Sequence, residues 1–189
     1  MTGDGLGLAL VAFGAVAGGL IAGRLRPELA PDWPDVSIET CLLAGAAGAA
    51  ALALHGGTAA AASCTGLTAA AVLDACSGYL VDELTLPTAA IALLASIDSG
   101  SARHSAFGML TLALPPALLN VIGRGRWLGW GDVKAFLAVG AGLGSERGIA
   151  ALGLACIFGV ATALVTRRRE IRFGPHLAAG ALAALGGAP

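Results

Sequence analysis

Apolar stretches almost free of charge recur along this chain, and short loops carrying most of the ionisable residues separate them. Few folds accept such a pattern. Lipid offers no water to backbone N–H and C=O groups, so repeated apolar segments cross a membrane as helices that satisfy their own hydrogen bonds. Only 12% of the 189 residues are charged, against roughly 25% in soluble domains.

The apolar segments are Gly5 to Gly23, Thr40 to Leu54, Thr58 to Leu73, Leu84 to Ile97, Ser105 to Ile122, Val133 to Leu143 and Ile149 to Val165, with an eighth opening at Phe173 and ending near Leu185. The expected fold is all-α: a polytopic integral membrane bundle of about eight spans. It forms a single membrane-embedded domain over residues 1–189 with a short loop at 24–39. The arginines of the first segment, Arg24 and Arg26, follow it, so it reads as a span and not as a secretory signal. The 29 glycines and the abundant alanines suit helices that pack closely inside lipid. Pro115-Pro116 marks a kink in the fifth segment.

Charge sets the orientation. If loops alternate sides, Arg24, Arg26, Arg124, Arg126, Lys134, Arg167, Arg168, Arg169 and Arg172 share one side, and only Arg103 and Arg147 lie on the other. The positive-inside rule puts the first group in the cytoplasm and the N-terminus outside. Arg167 to Arg169 read as a topology determinant and a contact for lipid headgroups. The net charge of −1 gives no basic face for nucleic acid. Cys41, Cys64, Cys76 and Cys156 stand singly, as do His55, His104 and His176, so neither a metal nor another cofactor is expected.

Two acids then stand out. Asp74 closes the third segment, and Asp132 enters the sixth within Gly129-Trp130-Gly131-Asp132-Val133-Lys134. Two crossings separate them, which returns the chain to the face it left and puts both at the cytoplasmic side. Ionisable residues at span edges are candidate functional groups. Two neighbouring carboxylates cannot both ionise, so they share a proton: one activates water as base, the other protonates a scissile carbonyl as acid. That is the chemistry of an aspartic protease. By position, Asp132 at a helix start favours the anion and Asp74 at a helix end favours the neutral acid. The chain lacks HExxH and GxSxG, the marks of zinc and serine hydrolases. A proton-coupled small membrane transporter using the same acids as a relay is the alternative from another class, and a scaffold without activity is a third.

At these residues the chain resembles the type IV prepilin peptidase family of GxGD membrane aspartic proteases. The resemblance rests on Asp74 followed by Asp82-Glu83-Leu84-Thr85-Leu86-Pro87, on Gly129 to Lys134, on Phe173-Gly174-Pro175, and on an opening span closed by Arg24-Leu25-Arg26-Pro27. It implies an aspartic endopeptidase of the inner (cytoplasmic) membrane that removes the short basic leader from prepilins or pseudopilins at the cytoplasmic face. Asp74 and Asp132 would be its catalytic pair, supported by Gly129, Gly131, Lys134, Asp82, Phe173, Gly174 and Pro175. The partners implied are the substrate's leader and apolar helix, and membrane lipid. Many members carry paired cysteines after the first span; here Pro27 to Glu39 has none, which implies a short, peptidase-only form. On the residues alone, Asp82 reads first as a helix-start residue and Lys134 as an interface anchor.

Overall fold

A computed structural model of the chain describes residues 38–53, 57–77, 80, 82–126, 128–167 and 171–186. The expected first span, Gly5 to Gly23, and most of the 24–39 loop lie outside the described residues. Within them the regular structure is entirely helical: α1 (Ile38–Ala53), α2 (Gly57–Ser77), α3 (Asp82–Asp98), α4 (Ala102–Ile122), α5 (Trp130–Thr166) and α6 (Phe173–Gly186). Three of these are long and apolar enough to cross a membrane, over Gly57–Ala75, Ala102–Ile122 and Trp130–Thr166, and Leu84–Asp98 and Phe173–Gly186 are shorter apolar helices.

Side-chain size is distributed the opposite way from a water-soluble core. The interior is built largely of alanine, including Ala51, Ala70, Ala92, Ala135, Ala138, Ala141, Ala151, Ala155 and Ala181, while Leu94, Phe107, Leu110, Ile122, Ile157, Leu164 and Val165 are exposed. Lipid solvates large apolar side chains as well as a protein interior does, so small residues go where helices touch. Buried hydroxyls turn back to backbone carbonyls, as in Thr65 to Ala61 at 2.8 Å and Ser96 to Leu93 at 2.6 Å.

The sixth and seventh segments of the sequence are not joined by a loop. They form two helical arms, together named α5, that meet at Gly144, whose φ of 72° and ψ of −168° belong to a region open almost only to glycine. The neighbours of α4 give the direction of each arm. Gly108 abuts Gly140 and Gly144, His104 fills the space beside Gly144, and Leu112 abuts Gly148. The first arm therefore runs antiparallel to α4 and the second runs parallel to it. The chain turns back at Gly144.

That reversal sets the register of the bundle. Ser63 of α2 donates to the Ala138 carbonyl at 2.6 Å, and Gly142 abuts Ser63 and Ala59, so α2 runs antiparallel to the first arm. Asp74 lies three turns beyond Ser63, and Asp132 lies back along the first arm from Ala138 toward the same end. In the second arm, Thr162 meets His176 and Ala151 meets Gly180, so α6 is antiparallel to it. The end of α2 and the starts of α3, α5 and α6 consequently gather at one end of the bundle.

Candidate active site

Asp132 is the third residue of α5. Its carboxylate accepts a hydrogen bond from the Gly129 N–H at 3.3 Å, the reciprocal arm of a helix N-terminal capping arrangement. Gly129 itself is in ordinary extended conformation, at φ −77° and ψ 153°, and a Cβ there would meet Asp132 Oδ2 at 3.5 Å and the Gly131 nitrogen at 3.9 Å, both ordinary contacts. Gly131 is more confined: a Cβ would lie 3.0 Å from both Cβ and O of Leu80. The second glycine is the one that lets the segment leading into α3 close over the start of α5.

Asp74 is buried, at 5% exposure. Its Oδ2 accepts the Gly174 N–H at 3.0 Å. Gly174 is the second residue of α6, where backbone N–H groups have no partner within the helix, and a Cβ on it would sit 2.7 Å from the same carboxylate oxygen. Pro175 follows in the first turn, where its missing N–H costs nothing. Phe173, the first residue of α6, packs its ring 6.0 Å from that of Phe136, one turn after Asp132, at an interplanar angle of 58°. This aromatic contact ties the start of α6, and with it the group holding Asp74, to the helix that carries Asp132. Both carboxylates lie at the same end of the bundle, where α2 ends and α5 and α6 begin.

The positional argument for which aspartate carries the proton considers only the helix that bears each residue. α2 continues past Asp74 to Ser77, and the Asp74 side chain faces the N-terminal end of α6. Asp74 therefore lies between the C-terminal end of α2 and the N-terminal end of α6, whose dipoles oppose one another, while Asp132 sits at the N-terminus of α5.

Asp82, the first residue of α3, and Lys134, the fifth of α5, form an ion pair with Lys134 24% and Asp82 50% exposed. The two supporting residues thus engage each other and bind α3 to α5 beside Asp132. Asn120 is buried and donates its amide to the Leu128 carbonyl, fixing the basic loop that leads into Gly129. Arg172 was legible only as one charge in a basic loop. Its guanidinium donates to the Asp74 carbonyl at 3.1 Å and to the Ala75 carbonyl, closing the last turn of α2. His176, isolated in sequence, contacts the Arg172 carbonyl and the Thr162 hydroxyl. Among the described residues no three His, Cys, Asp or Glu side chains converge as a metal-binding set.

Comparison with known proteins places this site in context. Residues 61–164, which include Asp74, Asp82, Asp132 and Lys134, match the type IV leader peptidase family. Curated relatives described as prepilin leader peptidase/N-methyltransferase, from Burkholderia pseudomallei strains 1026b and K96243, are each 35% identical over 161 residues. The alignment covers 76% of this chain and 52% of each relative, so the chain spans about half the length of the curated relatives it matches. No solved structure matches it significantly. With more than half of its length matched, this membrane protein belongs to the type IV leader peptidase family.

Proposed function

We propose that this chain is an aspartic endopeptidase that removes the leader from prepilin-like substrates, with Asp74 and Asp132 as its catalytic pair. The observation that carries the reading is the placement of these two carboxylates at one end of the bundle, Asp74 accepting the Gly174 N–H and Asp132 the Gly129 N–H. With one proton between the pair, the ionised member takes a proton from water as the hydroxyl adds to the scissile carbonyl, and the protonated member gives its proton to the carbonyl oxygen. The tetrahedral intermediate then collapses, with a proton passing to the leaving amine. No metal enters the scheme.

The distribution of basic residues supports a cytoplasmic site. Arg124, Arg126, Lys134, Arg167 and Arg172 lie toward the aspartate end, and Arg103 and Arg147 toward the other. A substrate with an apolar helix would stay in the bilayer while its leader reaches the site at the interface. Family membership favours this reading over a proton relay. The relatives' description includes methyl transfer; the reading for this chain is peptidase activity alone.

The test is co-expression of a prepilin with the wild type, Asp74→Asn or Asp132→Asn, followed by the pilin's mass. Cleavage by the wild type and loss in each single variant is the expected result. Full cleavage by either variant would remove the dyad, and a product heavier by one methyl group would restore methyl transfer.

A further inference from the structure

We propose that Thr162, His176 and Arg172 form a hydrogen-bonded relay that positions Asp74, with the Thr162 hydroxyl as its far anchor. The inference rests on the reading of Asp74 as catalytic. Its geometry begins at a carbonyl. The oxygen of Arg172 can only accept, so the 2.8 Å contact from His176 Nδ1 places a proton on that nitrogen. The other ring nitrogen, Nε2, then faces Thr162 Oγ1 at 2.9 Å and accepts its hydroxyl when the ring is neutral. Both edges of the imidazole are engaged, one on α6's own approach and one on the second arm of α5.

The segment fixed in this way grips Asp74 twice. The Arg172 guanidinium reaches the carbonyls of Asp74 and Ala75, acceptors in the last turn of α2. Two residues on, the Gly174 N–H reaches the Asp74 carboxylate. Backbone and side chain of one aspartate are therefore set by residues 172–174, and His176 locks those residues to Thr162. Since α5 carries both Thr162 and Asp132, its first arm supplies one carboxylate and its second arm anchors the other. Thr162, His176 and Arg172 are positioning residues, because none of them need touch the substrate.

Steady-state cleavage of a prepilin by the full chain in detergent is measured for the wild type, Thr162→Val, Thr162→Ser, His176→Leu and the Thr162→Val/His176→Leu double variant. Removing one relay bond is expected to lower kcat about 5-fold with KM unchanged. Thr162→Ser restores the wild-type kcat, and the double variant is no worse than His176→Leu alone. Wild-type turnover in Thr162→Val, a change confined to KM, failure of the Ser variant to restore activity, or additive losses each overturn the relay. Nitrogen-15 spectra of His176 read it without substrate: the Nδ1–H tautomer dominates in the wild type, and Thr162→Val weakens that bias. An unbiased ring in the wild type refutes the relay. A wild type with the expected spectrum and no cleavage refutes the peptidase reading instead.

Discussion

The Gly174 N–H and the Asp74 carboxylate, 3.0 Å apart across 100 residues of sequence, join the start of α6 to the end of α2. The contact leaves no room for a methyl group, since a Cβ on Gly174 would come within 2.7 Å of the accepting oxygen and 3.1 Å of the Asp74 Cβ.

Gly174→Ala therefore displaces the carboxylate without deleting it. Misplacement of a reacting group by about 1 Å costs on the order of 100-fold in rate, and a loss of that size in kcat is expected while the protein still accumulates in the membrane. Turnover within about 2-fold of wild type, under roughly 0.5 kcal/mol, would separate Gly174 from the site.

The two glycines flanking Trp130 are not equivalent. Gly131→Ala presses on Leu80 at 3.0 Å, whereas Gly129→Ala meets only ordinary contact distance. Overpacking costs about 1–3 kcal/mol, so Gly131→Ala is expected to lose activity roughly 10-fold and Gly129→Ala about 3-fold at most. Parallel cleavage time courses compare them, and the reverse order would contradict the steric assignment.

Lys134 and Asp82 couple two helices through a partly exposed ion pair. A double-mutant cycle with Lys134→Met and Asp82→Asn, read by thermal unfolding in detergent, should give a coupling of about 0.5 kcal/mol that shrinks in high salt. A coupling near zero at low salt would mean that the pair adds nothing to the joint.

At the crossing of α4 with the first arm of α5, a Cβ on Gly108 would lie 2.5 Å from the Gly140 carbonyl and 2.6 Å from Gly144. Gly108→Ala is expected to destabilise the fold by about 1–3 kcal/mol. Gly144→Ala should be at least as damaging, because it adds an unfavourable backbone conformation to a clash with His104. Loss of the folded species in gel filtration is the readout, and wild-type melting of Gly144→Ala would exclude the turn described here.

Much of this arrangement was legible in the chain itself. Low charge and recurrent apolar runs indicated helices in lipid, and the even number of crossings between Asp74 and Asp132 brought them to one face. What escaped depends on contacts distant in sequence. Nothing in Ser145 to Gly148 announces that the chain reverses without a loop, because a single glycine at positive φ makes the turn. Arg172 and His176 gave no local signal either, since their partners lie on α2 and the second arm of α5. The dipole reading of Asp74 was incomplete for the same reason: it considered the helix that bears the residue, and α6 also faces it.

The fold-back at Gly144 also dictates where the chain tolerates a change of length. Adding one residue between Asp132 and Gly144 would rotate Asp132 by about 100° and shift it about 1.5 Å relative to the rest of the bundle, turning its carboxylate away from Asp74. Adding the same residue beside Gly125, in the turn that precedes α5, leaves the helical phase untouched. The first arm thus acts as a ruler whose length is set in whole residues, a constraint that the loop beside it does not share.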